Sequence, residues 1–199
     1  KNATNEAGGN PRSVVLPPVM DFDAIFLPEK AARVPLACAA LAYEEFPMGD
    51  FQPTKTSPVI PMLGLSGWNN ASLVQTGGPY ARRGYFTDAF LLESTGEEAT
   101  WHPAPDLQAF IDAYRSEHNR TPSPREAITA DVGRLLAAAT ATGASTRSDL
   151  RDAIMDAKPG NTVTGLIGIN PETRRTDREM LILTITNDGI IPRAELPTL

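Results

Sequence analysis

The run Asp21-Phe22-Asp23-Ala24-Ile25-Phe26-Leu27-Pro28 is almost entirely apolar at its centre. Such a run suits a strand buried on both faces of a parallel sheet, which must carry helices on its two sides. The next segment, Glu29 to Tyr43, places Val34, Cys38, Leu41 and Ala42 at helical spacing. Pro35 is compatible with that helix only in its first turn. Val59 to Gly64 reads as a second strand, and its Pro61 points to an edge or an irregular end. Leu65 to Asn70 is a loop at that strand's end, followed by a short helix over Ala71 to Gln75. Gly84 to Leu92 reads as a long third strand.

Three helices then follow without an intervening strand. Asp106 to Asn119 sets Leu107, Phe110, Ile111 and Tyr114 on one face. The second helix has the strongest start signal in the chain. Ser123 is its N-cap, Pro124 its first residue, and Glu126 completes a capping box. Its expected buried stripe is Ile128, Val132, Leu135, Leu136 and Ala139, with Gly143 as the stop. Thr146 and Asp149 open the third helix, which should bury Leu150, Ala153 and Ile154 before Pro159-Gly160. The tail is β-rich over Thr162 to Ile169 and Glu179 to Thr186. Pro171 to Arg178 between them reads as a charged loop, and Asn187-Asp188-Gly189 as a turn. Three consecutive helices do not fit one doubly wound sheet. They imply that the chain leaves one lobe, builds helices elsewhere and returns.

Composition narrows the function classes. In 199 residues the hydrophobic share is 41% and the charged share 21%, ordinary for a water-exposed α/β protein. No apolar run approaches the ~18 residues of a membrane span. A formal net charge of −6 disfavours nucleic acid. The pairs Arg82-Arg83 and Arg174-Arg175 lack aromatic neighbours for base stacking and read as solvated surface. The single cysteine, Cys38, lies among small apolar residues, so a buried, inert thiol is expected. Lys1 to Pro11 is polar and Gly-rich, and residues 1–12 read as a leader or as the edge of a longer chain.

No reactive constellation emerges. His102 and His118 have no ligand spacing with another His or Cys, so no metal site is expected. Ser66 in Gly64-Leu65-Ser66-Gly67 falls short of a nucleophile elbow, because Trp68 replaces the last glycine. Glu44-Glu45 and Glu97-Glu98 are adjacent pairs that do not face each other, and so make poor acid–base dyads. Gly77-Gly78-Pro79 reads as a turn and lacks the strand and Lys-Ser/Thr of a phosphate loop. The expectation is no enzyme, no catalytic residue and no cofactor.

The element order and several segments resemble type I periplasmic binding proteins, the class of the branched-chain amino-acid receptors. The resemblance spans Asp21 to Pro192. It rests on Asp21 to Pro28, Met62-Leu63-Gly64-Leu65-Ser66-Gly67-Trp68-Asn69-Asn70, Gly84 to Phe90, the Phe110…Tyr114 helix pair, Val163 to Asn170 and Leu181 to Gly189. It implies an α/β, mostly parallel sheet with flanking helices, as part of a two-lobed fold. Residues 13–85 and 160–192 would form second-lobe elements, and 86–159 first-lobe helices after a crossover. A complete fold of this kind needs about twice this length. The sequence departs from the family at Thr129-Ala130-Asp131, where many members carry a Tyr-Asp-Ala triplet. The pairing of Phe22 to Pro28 with Leu63 to Asn69 is also similar to envelope lipoproteins that activate penicillin-binding proteins. The two implied functions are therefore a periplasmic receptor for an amino-acid-like ligand in an interlobe cleft, and an envelope lipoprotein domain that binds peptidoglycan synthases. Either could form a homodimer.

Ser66, Gly67, Trp68 and Asn69 are the leading ligand-binding candidates. They join a strand end to a helix start, where open α/β sheets bind ligands. Backbone N–H groups, a hydroxyl, an amide and an indole would suit an amino-acid-like ligand. The competing reading makes Trp68 a core plug and Asn69 or Asn70 a helix cap. Asp88 is the second candidate, either as a site residue or as half of a buried hinge ion pair.

Overall fold

A computed structural model describes residues 21–55, 58–91 and 105–193 of the chain. The short apolar run Ser13 to Leu16, His102 and the Glu97-Glu98 pair lie outside them. In chain order the described elements are β1 (Ile25–Phe26), α1 (Val34–Tyr43), β2 (Met62–Gly64), a 3-10 turn (Ser66–Trp68), α2 (Ala71–Ala81), β3 (Tyr85–Asp88), α3 (Pro105–His118), α4 (Pro124–Thr140), α5 (Arg147–Asp156), β4 (Leu166–Ile169), β5 (Thr176–Arg178), β6 (Leu181–Ile185) and β7 (Ile190–Arg193). A five-stranded sheet has the order β1-β2-β3-β6-β7, and β4-β5 form a separate ribbon.

The first three strands are parallel, linked through α1 and α2. Then β3, β6 and β7 run antiparallel. The turn residues behave as their chemistry requires. Thr186 N–H donates to Gly189 O at 2.8 Å and closes the β6–β7 hairpin across Asn187-Asp188. Pro35 falls in the first turn of α1, where its missing N–H costs nothing.

Several expectations are corrected. The first strand is not buried on both faces: Phe26 is 55% exposed and Ile25 half-buried. It is an edge strand, with β2 alone beside it among the described residues. Conversely β2 is interior. Pro61 sits just before it and only accepts, from Ile25 N–H at 3.0 Å, so no ladder donor is lost. Helix α2 runs past the expected end at Gln75 only to Gly78, whose non-helical backbone (φ 51°, ψ −146°) is the expected turn at Gly77-Gly78-Pro79 and separates two helical pieces. The charged loop 171–178 contains β5, which takes β4 as its partner. Asn170 makes that hairpin, its Oδ1 accepting from Glu172 and Thr173 N–H at 3.0 and 2.9 Å.

Three apolar clusters hold these elements. The largest joins α1, α2 and the sheet around Trp68, with Val34, Cys38, Met62, Leu73, Phe86 and Leu183. The second gathers Phe90, Leu107, Ile111, Ala127 and Val163, and the third Leu135, Ala139, Ala157 and Leu166. In α3 the expected face is the one turned inward. In α4 it is rotated: Ala127, Asp131, Leu135 and Ala139 are buried, whereas Ile128, Val132 and Leu136 are 37%, 40% and 41% exposed. Helix α5 has no fully buried residue; Leu150, Ala153 and Ile154 are half-buried in the third cluster. Both capping boxes form. Glu126 accepts Ser123 N–H at 2.6 Å, and Thr146 and Asp149 exchange bonds of 3.0 and 3.1 Å. The Cys38 thiol is buried 3.9 Å from Met62 Sδ, and burial raises its pKa to about 11.

Candidate functional site

The loop after β2 lies where β1, β2 and β3 end. Leu27 N–H donates to Leu63 O, and Ala31 N–H to Gly67 O at 2.9 Å, so the loops after β1 and β2 are tied together. Gly67 allows this approach, since a Cβ there would lie 3.3 Å from Glu29 O. The 3-10 turn then sends Trp68 inward. Its indole is fully buried, donates to Leu27 O at 3.1 Å, and lies 6.2 Å from the Phe86 ring. Two glycines make the space. A Cβ on Gly64 would sit 2.3 Å from the indole, and one on Gly84 2.8 Å from it. A ligand reaching this loop would therefore not touch the Trp68 ring, which fills the core as the competing reading had it.

The remaining candidates separate into a surface pair and a bonded pair. Ser66 and Gly67 are exposed on the turn. Asn69 and Asp88 are joined directly, Asn69 Nδ2 donating to Asp88 Oδ2 at 2.7 Å and to Phe90 O at 3.1 Å. Asp88 Oδ1 accepts Ala89 N–H at 2.7 Å. Asn70, not Asn69, caps α2, accepting Ser72 N–H at 2.9 Å. Asp88 is buried, and burial raises its pKa above the ordinary carboxylate value; the bonds from Asn69 and Ala89 pull it partly back. No cation pairs with it among the described residues, so the expected hinge ion pair is replaced by an amide.

Two clefts of about 480 Å³ lie close by; Asn69 lines one, and Phe90, whose carbonyl Asn69 holds, lines the other. One is lined by Ala89, Phe90 and Leu91 as the chain leaves β3, by Leu107 of α3, and by Thr162 to Leu166 as the chain returns. The other is lined by Asn69, Asn70 and Val74 on one side and Asn187 to Ile190 on the other. Leu91 borders both.

A feature that sequence reasoning missed sits at the return. Asp131 of α4 is fully buried and accepts Val163 N–H at 2.8 Å, Thr164 N–H at 2.7 Å and Thr164 Oγ1 at 2.5 Å. Arg134 completes it at 2.9 Å, and Arg178 donates to Thr164 Oγ1. The signal was present: Asp131 is the one charged residue in the four-spaced row Ala127, Asp131, Leu135, Ala139. A carboxylate in such a row must be held by donors brought from elsewhere.

Among the described residues no group of three His, Cys, Asp or Glu could hold a metal ion, and no helix is long and apolar enough to cross a membrane. His118 packs against Tyr114 in a tilted arrangement, with ring centroids 4.3 Å apart.

No family model and no curated protein sequence matches the chain. Solved structures do. The leucine-binding protein of Thermotoga maritima is 18% identical with a TM-score of 0.62, over 86% of this chain and 44% of that one. The leucine-, isoleucine-, valine-, threonine- and alanine-binding protein of Brucella ovis is 14% identical (TM-score 0.63), over 87% and 43%. A solute-binding protein of an ABC transporter from R. palustris, in complex with benzoate, is 14% identical (TM-score 0.54), over 85% and 42%. The chain thus has part of the type I periplasmic-binding-protein fold, and spans less than half the length of these structures.

Proposed function

We propose that the chain is part of a non-enzymatic solute receptor of the cell envelope, located in the periplasm. It would hold a small polar, amino-acid-like ligand between two lobes. The observation that carries this is the 480 Å³ cleft between the departing segment Ala89 to Leu91 and the returning segment Thr162 to Leu166, beside the Asn69–Asp88 pair. Its size lies in the ordinary range for small-molecule sites, and both crossing segments border it, so ligand contact and lobe movement would be coupled. Residues 86–159 would belong to the first lobe, and 13–85 with 160–192 to the second. Asn69 lines the neighbouring cleft and reaches this one through its bond to Phe90 O. It would offer the ligand a polar group, Ser66 and Gly67 on the exposed turn would add theirs on lobe closure, Trp68 would hold their loop, and Asp88 would orient the Asn69 amide. The likeness to amino-acid- and benzoate-binding proteins supports a receptor over an enzyme. No observation favours a peptidoglycan-synthase partner or a homodimer.

The test is thermal unfolding of the protein with millimolar branched-chain amino acids, threonine, alanine and benzoate, each alone. A true ligand at a hundred times its Kd stabilises by about 2.7 kcal/mol. Asn69→Ala should remove that shift. It should also lower the unliganded Tm, because the buried Asp88 carboxylate and Phe90 O lose their donor, so the shift is read against the variant's own ligand-free Tm. If no compound shifts the wild type, or if Asn69→Ala responds in full, the reading fails.

A further inference from the structure

At the other end of β3, roughly 16 Å along the strand from Asp88, lies a second polar cleft. The doublet Arg82-Arg83 joins α2 to β3 there. Asp50 holds both guanidiniums: its Oδ2 lies 3.2 Å from Arg82 Nη1, and its Oδ1 3.2 Å from Arg83 Nε. The backbone fixes that carboxylate. Gly49 (φ +57°) approaches the end of α2 so closely that a Cβ would meet Pro79 O at 2.3 Å, and Asp50 N–H donates to Pro79 O at 2.8 Å. Arg83 is itself held in a left-handed conformation (φ 57°), with its N–H donating to Ile185 O at 2.9 Å. A cleft of about 330 Å³ opens here, lined by Asp50, Arg82, Arg83, Thr186, Asn187 and Arg193.

We propose that this cleft binds a tetrahedral oxyanion carrying two negative charges, of the phosphate, sulfate or phosphate-monoester class. Three arginines against one aspartate leave a local charge of +2 (3 − 1), on a chain whose formal net charge is −6. Arginine stays charged at every physiological pH, and each guanidinium has five N–H donors. Asp50 occupies few of these, and both of its oxygens face the arginines. The remaining donors form the planar forks that match phosphate oxygens, and Asn187 adds an amide at the rim. Arg193 has no ion-pair partner among the described residues. The same chemistry would serve a free oxyanion or a phosphorylated lipid headgroup.

The experiment titrates inorganic phosphate and sulfate into the protein at constant ionic strength set with chloride, read by calorimetry and thermal shift. Saturable binding is expected with both oxyanions and not with chloride. Arg83→Gln should weaken it at least tenfold, and Arg193→Gln, at an exposed strand end, several-fold without changing Tm. Asn69→Ala should leave it intact, which separates this site from the proposed solute cleft. In a second arm, vesicles containing phosphatidic acid, whose headgroup is a phosphate monoester, are sedimented with the protein. Capture reversed by phosphate assigns the headgroup as the source, and phosphate binding without capture assigns the free ion; either supports the site. Absence of saturable oxyanion binding, or equal binding by wild type, Arg83→Gln and Arg193→Gln, would overturn it.

Discussion

The sheet region and the helical region of this molecule are stabilised in different ways. The sheet closes on one large apolar cluster with Trp68 at its centre, and polar groups enter only at its ends. The helical region has two small clusters, and is drawn together by polar networks at Asp131 and at Tyr114–Arg120–Glu126. It also leaves Ile128, Val132 and Leu136 on the surface as a ridge. The first region depends on shape, the second on paired donors and acceptors, so they should fail differently.

The largest expected effect is Trp68→Ala. Truncating a fully buried indole costs about 3–5 kcal/mol, because the cavity cannot collapse fully. Urea unfolding with near-UV circular dichroism should show the loss in the sheet region. An unchanged midpoint would show that the indole does not hold the sheet region together.

Asp131→Ala comes next. It strands the Val163 and Thr164 N–H groups in the interior, at roughly 2–4 kcal/mol together. Hydrogen exchange should report new opening at residues 163–164 while amides of β2 and β3 stay protected. Uniform loss of protection would mean that the two regions unfold as one unit.

Acid sharpens the contrast further. The Arg120 hydrogen bond, followed by the Ser123 N–H and Tyr114 bonds, pulls the Glu126 pKa well below the ordinary carboxylate value. Glu126 thus stabilises the folded state above the unfolded carboxylate pKa of about 4.3, and this is lost as pH falls through its depressed value. Asp88 has the opposite sign. Its raised pKa means a cost present at neutral pH that is relieved as pH falls through that value. Between pH 6 and 3, Glu126→Gln should flatten the fall in stability, and Asp88→Asn should steepen it.

The smallest effect belongs to the ridge. Ile128→Gln with Leu136→Gln should change stability by less than about 0.5 kcal/mol, since neither side chain lies in a packed cluster. A cost of several kcal/mol would show that something covers the ridge.

The sequence was readable where one residue's chemistry decides local geometry. The capping residues Ser123, Glu126, Thr146 and Asp149, the turn at Asn187 to Gly189 and the α3 face all lie where expected. It was unreadable where a distant partner decides. Whether Trp68 faces a ligand or the core depends on Gly64 and Gly84, 4 and 16 residues away, giving it room. Which face of α4 turns inward depends on backbone donors more than thirty residues on, at Val163 and Thr164. Periodicity favoured the more apolar row, but the hydrogen bonds to Asp131 selected the other. The strand β5 was hidden because its residues Thr176 to Arg178 are polar, and its pairing arises from the Asn170 turn.

One small arrangement has a mechanical consequence. Phe90 and Leu91 are neighbours, yet the first packs into the helical cluster and the second into the sheet cluster. A rotation of one region against the other would load this peptide as well as the returning segment Thr162 to Leu166, while Asn69 grips Phe90 O from the sheet side. That peptide would be one of two points about which such a rotation turns. A substitution at Asn69 would loosen its bearing, and so bear on the proposed lobe movement as well as on the proposed ligand contact.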